Sequence, residues 1–171
     1  MKRKDIEENI KFFVTAILLI LFMNYGLGFL LKTDLPVVAV ISESMTHDSM
    51  TEYVHYKYLE AEFNYTRQEI DSWPLRNGFR KGDVLIIKGV DRSQLKVGDV
   101  IVFDIEGQRI PIVHRIVKLN SNIVTKGDHN PVIDPWKVER IHGKVIFVIP
   151  FLGWPKLIFT SIVSWLLSLL V

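Results

Sequence analysis

The chain has 171 residues, a formal net charge of +2 and no cysteine. So balanced a charge makes no case for nucleic acid or an acidic partner. The missing cysteines exclude a disulfide framework, a thiol nucleophile and a thiolate metal site.

Residues 1–11 are charged, with Lys2, Arg3, Lys4 and Lys11, and read as a cytoplasmic N-terminus. Residues 12–31 carry no charge. As a helix rising about 1.5 Å per residue they would cover roughly 30 Å, the thickness of a bilayer core. Four basic residues precede the run and only Lys32 directly follows it. That asymmetry places the N-terminus in the cytoplasm and the rest outside the cell membrane. A cleavable signal peptide would have a shorter apolar core, about 7–15 residues, ending at small residues. Here the run ends in Leu30-Leu31-Lys32-Thr33-Asp34, so an uncleaved transmembrane anchor is expected.

Residues 35–41 are apolar and β-branched, bounded by Pro36, and read as a strand. Ser44 follows the anchor by thirteen residues. It can lie at most about 45 Å from the anchor's end, near the outer membrane surface. Residues 47–80 differ in composition, with Tyr53, Tyr56, Tyr58, Phe63, Tyr65 and Trp73 among charged residues. They read as an insertion between two core strands. One helix is expected over 50–71, ended by Pro74 and Gly78, with the tyrosines left for a surface or partner contact. Asn64-Tyr65-Thr66 is a glycosylation acceptor pattern.

From Gly82 the period is that of strands, at 84–88, 100–104, 110–118, 123–126 and 143–149. Gly82-Asp83 and Gly98-Asp99 read as turns entering strands, since Gly permits positive φ and Asp bonds its own backbone. The expected fold is mainly β. Residues 35–149 form a strongly curved antiparallel extracytoplasmic domain, and 155–171 form an apolar C-terminal helix that is membrane-associated or a short span.

A serine hydroxyl needs an adjacent base. The sequence offers His114, inside the strand at 110–118, or a lysine. A histidine on an apolar face is more often a core residue than a catalyst, but burial there also favours the neutral form a base needs. Its carboxylate partner would be Asp128 or Asp134. Asp128 fits the Gly-Asp turn pattern and Asp134 does not, so Asp134 is preferred. His47, Asp48 and His129 are conceivable metal ligands, but no HExxH-type pair is present and neither metal nor cofactor is expected.

Four stretches carry a resemblance: Ser42-Glu43-Ser44-Met45, Gly98-Asp99-Val100-Ile101-Val102-Phe103, Val113-His114-Arg115-Ile116-Val117, and Thr125-Lys126-Gly127-Asp128 through Asp134. In this order they resemble the boxes of type I signal peptidases, in the version where histidine replaces the bacterial catalytic lysine. That version is the one found in archaea and in the eukaryotic reticulum enzyme, and the aromatic insertion looks archaeal. The resemblance implies a membrane-bound serine endopeptidase that removes signal peptides after small residues (Ala-x-Ala), with no cofactor. It implies Ser44 as nucleophile, His114 as general base, Asp134 as the orienting acid, and Asp128 as a further box aspartate. Ser42 and the Ser44 N–H would form the oxyanion hole. Expected partners are preprotein signal peptides, the lipid bilayer, and accessory peptidase subunits or a translocon. Thr46-His47 and His129 depart from the usual pattern, where a proline and an asparagine are common. The competing readings are a self-cleaving repressor-type peptidase, which should lack the anchor, and a catalytically silent subunit or scaffold of a signal peptidase complex, which should lack one of Ser44, His114 or Asp134.

Overall fold

The computed structural model describes residues 3–168. Residues 1–2 and 169–171, the ends of the two terminal segments read from sequence, lie outside the described residues. Helix α1 (Arg3–Leu21) continues through a π-helical segment (Phe22–Gly26) into α2 (Leu27–Leu31). Lys32 ends it in the left-handed conformation, φ 55°, and donates its N–H back to the last turn. No helix among the described residues is long and apolar enough to cross a membrane. The helical stretch is divided, and the opening of α1 is charged.

Six strands form one antiparallel sheet: β1 (Val37–Ala39), β2 (Val84–Lys88), β3 (Val100–Asp104), β4 (Ile112–Leu119), β5 (Ile123–Lys126) and β6 (Arg140–Ile149). Their order is β1-β2-β6-β3-β4-β5. The β-branched runs at 84–88, 100–104 and 123–126 fall on strands with those same bounds. β4 starts two residues later than expected and β6 starts three residues earlier. Register shifts at Ile86/Ile87, Val102/Phe103 and Ile116/Lys118 curve the sheet.

β3 is covered on both faces. Val100 and Val102 pack with Leu85, Ile87 and Val145 on one side, while Ile101 and Phe103 pack with Ile116 and Ile123 on the other. Each such buried side chain contributes roughly 1.5–3 kcal/mol. The Gly-Asp turns form as expected: Gly82 and Gly98 both have φ 91°, and the Asp83 and Asp99 carboxylates accept the N–H groups of Arg80 and Lys96.

The insertion is not one helix. A π-helical turn (Glu52–Lys57) runs into α3 (Tyr58–Phe63), which stops at Asn64 in the left-handed conformation, φ 56°. Thr66 then starts α4 (Arg67–Asp71) with a capping box to Glu69. Its aromatic residues are largely structural. Tyr56, Tyr58, Phe63, Tyr65 and Trp73 surround buried Leu59, Ile70 and Val117, a third core against β4 and β5. The Tyr65 hydroxyl donates to the Val117 carbonyl at 2.9 Å. Only Tyr53, 61% exposed, is left facing outward among these tyrosines. The last helix, α5 (Trp154–Ser168), begins where the Gly153 N–H meets the Gly82 carbonyl, with the Trp154 ring against Gly82.

Candidate active site

Ser44 sits in a turn just after β1, and the turn is held from three directions. The Ser44 carbonyl accepts the His129 N–H at 2.8 Å, and the Met45 carbonyl accepts the Phe79 N–H at 3.0 Å. Met45 is 1% exposed and its sulfur lies 3.4 Å from the Asp128 N. Gly78 is required behind the turn: its φ is +64°, and a Cβ there would stand 2.2 Å from the Met45 carbonyl oxygen. Ser42 and Ser44 bring their Oγ atoms within 3.2 Å of each other. Among the described residues, the Ser44 N–H donates to no protein acceptor.

β1, the preceding edge strand, and β4 form two walls of a groove of about 650 Å³. Ser42, Ser44 and His114 all line it, with Trp136 and Lys156 further along. Most of the lining is aliphatic, from Val37, Ala39, Ile112 and Val113.

His114 lies in β4, paired with Ile101 of β3, and is 5% exposed. Its Nδ1 meets Asp134 Oδ2 at 2.6 Å. The same carboxylate oxygen accepts the Thr125 hydroxyl at 2.6 Å. The Asp134 N–H donates to the Thr125 carbonyl at 2.9 Å, which pins the loop to β5. A carboxylate on Nδ1 fixes that nitrogen as the protonated one and leaves Nε2 as the free base.

Asp128, the other candidate, is elsewhere. Its carboxylate takes Arg115 Nε at 2.8 Å and Arg115 Nη2 at 2.7 Å, a bidentate pair in which both side chains are 1% exposed. Arg115 also donates to the carbonyls of Pro74, Leu75 and Gly98. Burial pushes the Asp128 carboxyl up, but the Arg115 charge and hydrogen bonds, with His47, hold it well below the usual carboxylate range. The structure thus brings Ser42, Ser44 and His114 to one groove, with Asp134 bonded to His114, and places Asp128 apart from the groove lining, next to the His129 amide that grips Ser44.

Three residues of this region were not singled out in the sequence as site residues: Thr125, Arg115 and Lys126. An arginine inside an apolar strand was a usable sign of a buried partner, whereas nothing local marks Thr125. Lys126 is fully buried, and its ammonium donates to the Gly127 carbonyl at 2.9 Å. Burial pushes it down to about 8, partly offset by Asp128 and Asp134.

With this geometry stand the comparisons. No protein-family model matches the chain. It is 43% identical over 68 residues to the signal peptidase complex catalytic subunit SEC11 of Lodderomyces elongisporus, across 37% of this chain and 40% of that one. It is 32% identical over 105 residues to the same-named protein of Candida dubliniensis, across 53% of this chain and 63% of that one. Over these stretches the chain is similar to SEC11 proteins. The Scheffersomyces stipitis SEC11 protein shows 40% identity over 68 residues, 37% of this chain and 40% of the relative. In each case the chain spans less than two thirds of the relative's length.

Proposed function

We propose that this chain is a membrane-bound serine endopeptidase that removes N-terminal signal peptides from exported preproteins. The observation that carries the reading is that His114, bonded to Asp134, lines one groove with Ser44, whose own N–H is uncommitted. The Sec11-like similarity supports the same activity.

The substrate's cleavage segment lies extended along β1, the sheet edge that forms the groove wall. Aliphatic lining favours small apolar residues at the positions one and three before the cut, an Ala-x-Ala type of site. His114 Nε2 takes the Ser44 proton as Oγ leaves Ser42 and attacks the carbonyl. Asp134 holds the imidazole in the required tautomer and stabilises the imidazolium. The Ser44 N–H and the Ser42 hydroxyl donate to the oxyanion; one such donor contributes about 3–4 kcal/mol. His114 then protonates the leaving amine, and water, activated by the same imidazole, hydrolyses the acyl-enzyme. Asp128 and Arg115 position the turn that holds Ser44 and touch no reacting atom.

Residues 12–31 anchor the chain in the cell membrane, N-terminus in the cytoplasm and groove outside. In support, the flanking helices expose apolar side chains all round: Phe12 is 69% exposed, Phe29 90%, Phe159 67% and Trp165 60%. A helix apolar on every side suits lipid rather than water. The name of the relatives supports accessory peptidase subunits as partners. The rival reading, a silent subunit, is disfavoured because Ser44, His114 and Asp134 are all present.

The test is cleavage of a preprotein bearing alanine at those two positions by the detergent-solubilised chain. Ser44→Ala and His114→Ala are expected to lose at least ~10³-fold in kcat/KM. Cleavage by Ser44→Ala at the wild-type rate would sink the reading.

A further inference from the structure

Behind the groove, on the far side of the Ser44 turn, three polar side chains from three separate segments converge. They are His47 from the turn after the serine, His55 from the π-helical turn of the insertion, and Asp128. One ring nitrogen from each histidine and one carboxylate oxygen lie within 4.8 Å of one another. His55 is 2% exposed, and its Nδ1 has no hydrogen-bond partner among the described residues. It lies 3.5 Å from Asp128 Oδ1, beyond hydrogen-bond reach. A buried and unsatisfied imidazole nitrogen needs an explanation.

We propose that this cluster is a structural metal site for Zn²⁺, held by His47 Nε2, His55 Nδ1 and Asp128. Two ligands of a tetrahedral zinc with bonds of about 2.0–2.2 Å sit roughly 3.3–3.6 Å apart. The separation of His55 Nδ1 and Asp128 Oδ1, 3.5 Å, is too long for a hydrogen bond and matches a shared ion. Arg115 does not saturate the carboxylate. Each ionised oxygen has two acceptor positions, and Arg115 takes one on Oδ1 and one on Oδ2. The second position on Oδ2 is now filled by His47 Nε2 at 2.9 Å, and that on Oδ1 faces His55. On metal binding, His47 exchanges its hydrogen bond to Asp128 for a bond to the ion. Arg115 and Lys126 both bear on the cluster, so Asp128 alone gives the site no net negative charge, but Asp48, next to His47, adds a carboxylate, whose Oδ1 accepts the Met50 N–H at 2.8 Å and lies 3.6 Å from His129 Nδ1. The His47 side chain is 14% exposed and gives the ion its way in. Two imidazoles and a carboxylate favour Zn²⁺ over Mg²⁺ or Ca²⁺, which take oxygen ligands. The ion's effect is to fasten the insertion to the Ser44 turn and the Asp128 turn together, with no part in the cleavage step. The site stands on this geometry alone, so it holds or fails independently of the peptidase reading.

The experiment uses the full-length, untagged, detergent-solubilised chain, stripped of metal by a chelator and titrated with Zn²⁺ by calorimetry and thermal unfolding. The expected result is one Zn²⁺ per chain and a Tm that rises with Zn²⁺ concentration. His55→Ala and His47→Ala should each weaken binding at least ~10-fold and abolish the Tm rise. If a variant does not fold, X-ray absorption of the zinc-loaded wild type decides through its ligand shell, which should contain two imidazoles. No saturable binding, binding that persists undiminished in both folded variants, or a shell without two imidazoles would each overturn the proposal.

Discussion

At the scale of single residues, Asp128 and Asp134 make different contacts, which spacing alone left open. Asp134 bonds His114 and Thr125, whereas Asp128 closes a buried ion pair with Arg115. Removing one partner of a buried pair strands the other charge and typically costs about 3–5 kcal/mol. Asp128→Ala is therefore expected to lower Tm steeply, by well over 5 °C, in a thermal unfolding scan. Asp134→Asn keeps the shape but presents a donor where His114 needs an acceptor. It should lose about 10³–10⁴ in kcat/KM with a much smaller Tm change. Equal Tm losses in the two variants would contradict this division. One reason to look to Asp134 for the contact with His114 was legible in the sequence, since Asp128 repeats the Gly-Asp turn pattern of Asp83 and Asp99. What was not legible is that the Asp128 carboxylate is taken up bidentately by the buried Arg115 of β4, whereas those of Asp83 and Asp99 accept an N–H of their own turns.

At the scale of elements, the strands were readable and the insertion was not. β2, β3 and β5 are short β-branched runs between turn residues, and burial on a sheet needs little else. The insertion's apolar positions suit a helix throughout, but Asn64 takes the left-handed conformation, and Thr66 with Glu69 forms a local box that restarts the helix. That choice is made by the aromatic packing on Val117 and Val124, which no window of local sequence contains. The foot of the N-terminal helix is tied to the sheet in a similar non-local way. Asp34 pairs with His142 Nδ1 at 2.8 Å and with Arg140 at 2.9 Å. Partial burial raises the Asp34 carboxyl, but the hydrogen bond and charge of His142, and then Arg140, more than offset it and leave it lowered. A carboxyl lowered in the folded state stabilises above its unfolded pKa, about 3.9, and loses that contribution as pH falls through the folded value. Wild type should thus exceed Asp34→Asn in stability above about pH 4, with the gap closing in more acid solution. The pair is half-exposed, so the gap should be no more than ~1 kcal/mol by denaturant titration.

At the scale of the whole molecule, two apolar helices flank a domain whose groove opens beside the start of the second. Lys156 of α5 lines the same groove as Ser44, so membrane depth and catalytic reach are coupled if α5 lies in lipid. The chain's lack of cysteine makes its topology directly measurable. In intact cells, a membrane-impermeant thiol reagent should label Glu106→Cys, in the exposed loop after β3, and leave Glu8→Cys unlabelled until the membrane is opened. The reverse pattern would refute the proposed orientation. The Ser44 turn has one more consequence. It has no regular secondary structure, yet its carbonyls are gripped by the amides of Phe79 and His129, which come from two segments far apart in the sequence. Those two amides can be freed only by parting segments that the fold itself holds together, so in hydrogen exchange they should behave like core strands, protected to the free energy of global unfolding rather than to that of a surface loop.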